Sequence, residues 1–362
     1  MEFFKKYVSN TLAGSGNQHF FINEAPELVQ TGRIYYKLFS GGEYNYSLLF
    51  SNIIDSTFAD GSKSHKNIVC DSWKIERAAL CIVPDCDPNS EHNFTPITFD
   101  GKEYKNVNPG EFFCSDPVSL KGNKGDYLCF EVSFTGEMIP YHEETHIPTF
   151  VLDGNNCWGK AKCMPFPAMI GCDRKVKLRV AYIGDSITQG LGTPFNSYLH
   201  WCANVSEMLG EDYAYWNLGL GYGRGADAAT NGAWLFKAKQ SDVAVVCFGV
   251  NDLGSFTADE IKASILNIVR RLKAAGVTVA VQTIPPYNYD ERYRGNWACV
   301  NEWIKTELIN SCDMVFDVVK VLGESEENSH MAKYGGHPNA EGCKAWSDAL
   351  YAPLKELIEK TV

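Results

Sequence analysis

A serine and a histidine in this sequence stand in settings that suit nucleophilic catalysis. Ser186 lies in the segment GDSIT, residues 184–188, directly after the apolar run 178–183. A serine hydroxyl becomes a good nucleophile only when a base takes its proton, and imidazole is the usual base near neutral pH. His337 supplies an imidazole in the segment GGHPN, residues 335–339. The two residues therefore indicate acyl transfer, with serine as nucleophile and histidine as base.

Acyl transfer also needs hydrogen-bond donors for the oxyanion that develops during attack. The segment NLGLGYG, residues 217–223, ends a second apolar run, and its glycines would let a backbone N–H approach a ligand closely. The segment FGVND, residues 248–252, ends a third run and offers the side-chain amide of Asn251. All four segments follow a predicted strand or begin a predicted helix. We therefore expect them at one edge of a single sheet.

The second half of the chain has the alternating pattern that such a sheet requires. Strands alternating with helices predict βαβ units and a parallel sheet with helices on both faces. The predicted strands are 178–183, 213–218, 243–249, 277–282 and 313–318, and the predicted helices are 198–209, 258–275, 298–310 and 340–359. Residues 173–362 are therefore predicted to form a doubly wound α/β domain with five parallel strands.

The first half of the chain has a different sequence pattern. Short β-rich runs are broken by Gly, Asn, Asp and Pro, which predicts an antiparallel sandwich. The predicted strands are 44–50, 78–83, 97–99, 127–134 and 149–152. We place an all-β sandwich, resembling a jelly roll, at residues 1–172.

Composition excludes several classes of function. The 362 residues carry a net charge of −11, which argues against nucleic acid because phosphate contacts need clustered Lys and Arg. No run approaches the roughly 20 apolar residues of a membrane span, and the start lacks a secretory signal pattern, so we expect a cytoplasmic protein. The 13 cysteines lack paired C-x-x-C spacings and are expected to be reduced thiols that mostly pack.

Taken in this order, the four segments resemble the SGNH or GDSL-type serine esterase family, whose sheet is flavodoxin-like. The segments SGG at 40–42, LFSN at 49–52 and SDPV at 115–118 extend the likeness to bacterial members that carry an N-terminal β-sandwich. The resemblance implies that Ser186 is the nucleophile, His337 the base, and Asn251 an oxyanion donor beside the N–H of Ser186. A glycine completes the family's oxyanion hole.

Two departures from the family pattern affect the residue roles that the resemblance implies. The glycine expected in the second segment is replaced by Tyr222, which leaves Gly221 and Gly223 as candidates. The family's usual aspartate, three residues before the histidine, is replaced by Tyr334, and a phenol is neutral at pH 7. Three interpretations stay open: a Ser-His dyad with a backbone carbonyl on the imidazole, an acid from elsewhere such as Asp317, or a weakened enzyme. We favour the dyad.

Other polar residues near these segments have plainer interpretations. Asp185 and Asp252 are expected to make structural hydrogen bonds, and Asn217 to hold its own turn. His200 and His330 are alternative bases that we expect to be surface or packing residues.

The segment HEETH, residues 142–146, satisfies the H-E-x-x-H pattern of zinc peptidases. That pattern needs a helix, whereas Pro140 and Pro148 bracket the segment within a β-rich stretch, so we expect loop or rim histidines and no zinc.

The resemblance implies hydrolysis of a short-chain ester, preferably acetyl on a carbohydrate, without metal or cofactor. The expected partner is a small-molecule or oligosaccharide ester, and the sequence leaves the oligomeric state open. Four aromatic residues after the fourth strand either stack on a sugar or pack the domains together: Tyr287, Tyr289, Tyr293 and Trp297. The alternatives are a lysophospholipase or thioesterase for longer acyl chains, and a non-catalytic carbohydrate-binding protein on a degenerate hydrolase scaffold.

Overall fold

The computed structural model describes residues 1–17, 19–56, 67–142, 146–161, 164–287, 289–323, 332–333 and 336–362. Within these residues, the first half contains one short helix, α1 (Phe3–Lys6), and fourteen strands. These strands are β1 (Val8–Ser9), β2 (His19–Ile22), β3 (Gln30–Lys37), β4 (Gly42–Ser51), β5 (Trp73–Val83), β6 (Thr95–Ile97), β7 (Lys105–Val107), β8 (Phe112–Cys114), β9 (Val118–Gly122), β10 (Tyr127–Gly136), β11 (Met138–Tyr141), β12 (Thr149–Leu152), β13 (Trp158–Lys160) and β14 (Met169–Cys172).

Two antiparallel sheets face each other in this half. One has the order β1-β14-β4-β8 with β9 also on β4, and the other has the order β13-β12-β3-β10-β5-β6 with β7 also on β5. Side chains alternate along each strand, so that Phe130 of β10 and Phe50 of β4 both point into the gap, with ring centroids 5.9 Å apart. Phe50 also stacks on Phe113 at 4.9 Å. The predicted all-β sandwich is confirmed.

The second half forms a five-stranded parallel sheet. Its strands are β15 (Leu178–Gly184), β16 (Tyr213–Gly219), β17 (Val243–Cys247), β18 (Thr278–Gln282) and β19 (Met314–Phe316). Their spatial order is β16-β15-β17-β18-β19, and every pair is parallel. A short antiparallel pair, β20 (Ala332–Lys333) and β21 (His337–Pro338), lies outside this sheet.

Helices cover both faces of the parallel sheet. They are α2 (Ser186–Gln189), α3 (Trp201–Leu209), α4 (Gly225–Ala228), α5 (Ala233–Ala238), α6 (Ala258–Ala274), α7 (Glu291–Thr306), α8 (Val319–Leu322) and α9 (Ala340–Thr361), with a 3₁₀ turn at Leu308–Asn310. Helices α3 and α9 pack together through Trp201 and Trp346, whose rings stack at 5.0 Å. Helices α6 and α7 pack on the opposite face, where α6 buries Ile261 and Ile265. The predicted doubly wound α/β fold is confirmed.

The predicted bounds of two helices differ from the structure by three residues or more. The predicted helix 198–209 begins at Trp201. The predicted helix 298–310 begins at Glu291 instead, because the Asp290 side chain accepts the backbone N–H of Arg292 and caps it. The first turns of this helix are rich in polar and aromatic residues, so they lack the apolar periodicity that predicts a helix. The short helices α4 and α5 were not predicted either. No described helix is long and apolar enough to cross a membrane.

The two halves share a buried polar interface. The Asp55 carboxylate, from the segment after β4, forms a fully buried ion pair with Lys237 of α5. The next residue, Ser56, donates to Asp227 at 2.5 Å. Near the N-terminus, the Ser15 N–H donates to the Asn217 carbonyl at 3.0 Å, which extends the edge of the parallel sheet beside β16. The division of the chain after residue 172 stays a prediction.

Lys237→Ala should lower the free energy of unfolding by about 3–5 kcal/mol, because it leaves the Asp55 carboxylate buried without its cation. Chemical denaturation at neutral pH measures the loss. Lys239→Ala, which removes a partly exposed lysine two residues further on, serves as the control and should stay within about 0.5 kcal/mol of the unmodified chain. Equal stability of the two variants would contradict the assignment.

Candidate active site

Ser186 lies in a turn that has no room for additional side chains. Asp185 caps helix α2 by accepting the Ile187 N–H at 2.9 Å, which makes Ser186 the first residue of the helix. A Cβ at Gly184 would lie 2.2 Å from Thr188 Oγ1 and 2.5 Å from the Cys247 carbonyl oxygen. Glycine is therefore required before Asp185, and the prediction that Asp185 makes structural hydrogen bonds is confirmed.

His337 reaches Ser186 from the other end of the domain. Its Nε2 lies 2.8 Å from the Ser186 Oγ, and both side chains are buried. A second close approach fixes this segment: a Cβ at Gly192 would lie 2.8 Å from the His337 Cβ and 2.6 Å from the Pro338 carbonyl oxygen. The structure thus brings together the predicted nucleophile and base at hydrogen-bond distance.

The other ring nitrogen of His337 faces a tyrosine. The Tyr287 Oη lies 3.5 Å from the His337 Nδ1, and the two rings meet edge to face at 5.3 Å. Asp317, the alternative acid, accepts from the Thr283 hydroxyl at 3.2 Å. Tyr334 lies outside the described residues. Sequence reasoning considered Tyr287 only as a stacking or packing residue, because a contact between segments this distant leaves no local pattern.

The predicted oxyanion donors lie on two loops that contact each other. The Asn251 Nδ2 donates one hydrogen to the Gly223 carbonyl at 2.9 Å, which orients the amide and leaves its second hydrogen for another acceptor. The Gly223 N–H donates to the Leu220 carbonyl at 2.9 Å. Because the Gly223 N–H already serves the turn, Gly221 is the better of the two glycine candidates.

Tyr222, between these glycines, has the left-handed φ of 57° that usually favours glycine. Tyr222 is 39% exposed. The family's missing glycine is therefore replaced by a residue that keeps a glycine-like backbone conformation. The sequence reveals that Tyr222 replaces the glycine, but it does not reveal this backbone conformation.

Side chains hold both loops in place. The Asp252 carboxylate accepts the N–H groups of Gly225 and Ala226 at 2.9 and 3.0 Å. The Arg224 guanidinium forms a fully buried two-point ion pair with Asp227. Asn217 accepts the Gly219 N–H through its side chain at 2.8 Å, which confirms that it holds its own turn. The loops that carry the candidate donors are thus positioned by buried hydrogen bonds.

The part of the chain that carries this site is similar to known proteins. Residues 182–345 match the model of the GDSL-like lipase/acylhydrolase family. This segment is a GDSL-like lipase/acylhydrolase domain. The match supports hydrolysis of an ester as the activity of the domain. None of the curated proteins compared with the chain matches it.

Solved structures with the same kind of domain are distant in sequence. A family two carbohydrate esterase from Clostridium thermocellum, solved with cellohexaose, is 12% identical, with a TM-score of 0.42 over 98% of this chain and 99% of that one. A family 3 carbohydrate esterase from Talaromyces cellulolyticus is 19% identical, with a TM-score of 0.40 over 51% and 99% of the two chains. The esterase EstA from Pseudoalteromonas sp. is 18% identical, with a TM-score of 0.41 over 50% and 98%. The family match, and not these distant likenesses, supports the assignment.

A histidine of the sandwich half holds the end of the nucleophile helix in the acylhydrolase domain. His142 Nδ1 lies 2.8 Å from the Gly16 carbonyl, and its Nε2 lies 2.8 Å from the Gln189 side-chain nitrogen. An amide nitrogen only donates, so Nε2 accepts and Nδ1 carries the proton. Burial lowers the pKa of His142 to about 4 and keeps it neutral at pH 7.

Two further buried histidines make similar contacts. His146 Nε2 donates to the Gly190 carbonyl at 2.7 Å, and His200 Nε2 lies 3.2 Å from the Leu12 carbonyl. Burial lowers the pKa of both, that of His200 to about 3. The two histidines of the H-E-x-x-H pattern are therefore loop residues, as expected, but they are buried against the end of helix α2 and not at a rim. Residues 143–145 and His330 lie outside the described residues.

The aromatic residues after β18 divide between two environments. Tyr289 is buried and donates to the Pro285 carbonyl at 3.0 Å, and the Trp297 indole donates to the Ile284 carbonyl at 2.9 Å. Both pack in the apolar cluster that also holds α6 against the sheet. Packing is therefore their role, whereas Tyr287, which also packs against this cluster, lies beside His337 as well.

Two buried carboxyl groups under the site have raised pKa values. Burial raises the pKa of Asp185 to about 7, with a further contribution from Asp252, although the Ile187 N–H acts in the opposite direction. Burial likewise raises the pKa of Asp252 to about 6, against the lowering effect of the N–H groups of Gly225 and Ala226. The folded acylhydrolase domain therefore binds protons that an unfolded aspartate, with a pKa near 3.9, releases.

Asp185→Asn should flatten the dependence of stability on pH. A raised folded-state pKa gives a contribution that is fully present below about pH 4 and is lost as the pH rises through about 7. The free energy of unfolding, measured by chemical denaturation between about pH 4 and pH 8, should therefore decrease less steeply with pH for the variant. The amide oxygen of the variant can still accept the Ile187 N–H. Asp242→Asn, which changes a partly exposed carboxylate, is the control. Parallel pH dependences for Asp185→Asn and the unmodified chain would contradict the raised pKa.

Proposed function

We propose that this chain hydrolyses short-chain esters, preferably an acetyl group on a carbohydrate, through an acyl-enzyme on Ser186. One observation carries the proposal: the 2.8 Å distance between the Ser186 Oγ and the His337 Nε2 at the carboxyl edge of the sheet. The family match supports an ester as the substrate class. We further propose that the alcohol released from the ester is a small molecule or an oligosaccharide.

The reaction follows from the roles of these groups. His337 Nε2 takes the proton from Ser186 as Oγ attacks the ester carbonyl carbon, which forms a tetrahedral oxyanion. The Ser186 N–H, the Gly221 N–H and the second hydrogen of the Asn251 amide stabilise that oxyanion. The protonated imidazole then gives its proton to the departing alcohol. A water molecule, deprotonated by His337, hydrolyses the acyl-enzyme in the same two stages and returns free Ser186.

The imidazole is proposed to act as a dyad base without a carboxylate. The Tyr287 Oη, 3.5 Å from Nδ1, can accept the Nδ1 proton and so favour the tautomer whose Nε2 is ready to accept from Ser186. A neutral phenol stabilises the imidazolium less than a carboxylate would. Tyr287 is thus a positioning residue, and the proposed enzyme is slower than one with a complete triad.

Two features support a short acyl group on a sugar. No long apolar segment of the sequence suggests a lid or acyl tunnel. Tyr222 presents an exposed ring from the loop that carries Gly221, where the apolar face of a sugar could stack on it.

Ser186→Ala should lower kcat/KM for an acetyl ester by at least about 10³-fold, because it removes the nucleophile. Acetate release measures the rate, and a fluorophosphonate probe should label the unmodified chain but not Ser186→Ala. The control is Ser255→Ala, a half-buried serine on the loop after Asn251, which should keep full activity. Equal background rates for all three proteins would favour the non-catalytic carbohydrate-binding alternative.

Acyl-chain preference separates the proposed esterase from the lysophospholipase or thioesterase alternative. With a series of p-nitrophenyl esters, kcat/KM should be highest for acetyl and fall with chain length. A long-chain enzyme would gain about 0.8 kcal/mol for each methylene that it buries. A preference for acyl groups of about eight carbons or more would contradict the acetyl proposal.

Tyr287→Phe should lower kcat/KM by about 2- to 10-fold, the worth of one neutral hydrogen bond. Because the hydroxyl positions the imidazole, the apparent pKa of the base in the pH dependence of kcat/KM should also shift. Tyr293→Phe, a half-exposed tyrosine on helix α7, is the matched control and should change neither quantity. An unchanged pH profile for Tyr287→Phe would mean that another group orients His337.

A further inference from the structure

The outer face of the larger sandwich sheet carries an unusual group of side chains. Leu128, Phe130 and Val132 of β10 point into the sandwich core, so Cys129 points to the other face. Cys129 stands directly opposite Cys81 on β5 and opposite Tyr35 on β3. All three are buried, although this face of a sandwich is normally solvated.

The connection between β5 and β6 covers this face. His92, in that connection, lies with its Nε2 3.0 Å from the Tyr35 hydroxyl. Arg33 of β3 pairs with Glu131 at 2.9 Å and donates to the Pro88 carbonyl at 2.5 Å, which fastens the connection to the sheet. Two thiols and one imidazole are thereby enclosed together.

We propose that Cys81, Cys129 and His92 bind a zinc ion that fastens this connection to the sandwich. The Sγ atoms of the two cysteines and a ring nitrogen of His92 all lie within 4.8 Å of one another. A tetrahedral zinc ion, with Zn–S bonds of about 2.3 Å and a Zn–N bond of about 2.0 Å, holds its ligand atoms roughly 3.5 Å apart. Small side-chain rotations therefore close the site.

The orientation of His92 is the one that a metal ligand needs. Its Nδ1 lies 2.5 Å from the Ser90 carbonyl, so Nδ1 carries the proton and donates it. The unprotonated Nε2 then accepts from the Tyr35 hydroxyl at 3.0 Å, and it is the ring nitrogen that would bind a metal ion. A backbone carbonyl that fixes the tautomer in this way is typical of histidines that bind metals.

Ligand type and charge favour zinc. Thiolate and imidazole ligands suit Zn²⁺, whereas Mg²⁺ and Ca²⁺ require oxygen. Binding releases one proton from each thiol, so two thiolates neutralise the dication and leave no net charge in the buried site. Arg33 and Glu131 beside it neutralise each other. The Tyr35 hydroxyl or a water molecule completes the tetrahedron.

Cobalt and zinc titration of the full-length chain tests the proposal. The reduced, chelator-treated protein should bind one equivalent of Co²⁺ with thiolate-to-cobalt charge-transfer absorption, and Zn²⁺ should displace it. His92→Gln, which changes a half-exposed loop residue, should weaken Zn²⁺ binding by at least about 100-fold. His19→Gln, a half-exposed histidine on β2, is the matched control and should bind as the unmodified chain does.

A second pair of variants tests the thiols. Cys81→Ala should abolish the charge-transfer absorption, whereas Cys70→Ala, another buried cysteine of the sandwich half, should retain it. Ser186→Ala should bind zinc normally, so the outcome is independent of the esterase proposal. Equal cobalt spectra for His92→Gln and the unmodified chain, or no charge-transfer absorption in any of the reduced proteins, would overturn the zinc site.

Discussion

The packing of the nucleophile turn against the neighbouring strand is the constraint on which the active site depends. A Cβ at Gly219 of β16 would lie 2.2 Å from the Gln189 nitrogen, so helix α2 rests directly on that glycine. The buried carbonyl groups of this turn still need donors. The Asn217 side chain donates to the Thr188 carbonyl at 3.0 Å, and His146 donates to the Gly190 carbonyl. Several distant segments therefore complete the hydrogen bonds of the turn that carries Ser186.

This constraint explains why the sandwich and the acylhydrolase domain share a polar interface. His142 and His146 come from the sandwich half, yet they contact the end of helix α2. Asp55 and Ser56 similarly pair with Lys237 and Asp227, and Asp227 in turn holds Arg224 beside the candidate oxyanion loop. Buried ionic groups are costly when one partner is missing. The sandwich therefore supports the geometry of the site, independently of any contact with substrate.

Sequence reasoning worked where the signal was local. The apolar runs predicted all five parallel strands, and Ser186 and His337, which followed from short segments, meet at 2.8 Å. It failed where the relevant contact joins distant segments. Tyr287 beside His337 is one case. The proposed zinc ligands are another, because Cys81 and Cys129 become neighbours only through strand pairing, which no C-x-x-C spacing records.

The backbone conformation of Tyr222 depends both on its own loop and on residues distant in sequence. A non-glycine residue at φ 57° costs of order 1 kcal/mol or more, and such strain persists only where the surroundings hold it. Here Asn251 holds the adjacent Gly223 carbonyl, and a Cβ at Gly223 would lie 2.6 Å from the Trp234 ring, so the loop cannot relax on that side. Glycine would remove the strain and keep the N–H. The tyrosine therefore keeps the loop conformation that a glycine would adopt, and it does so with a partly exposed ring.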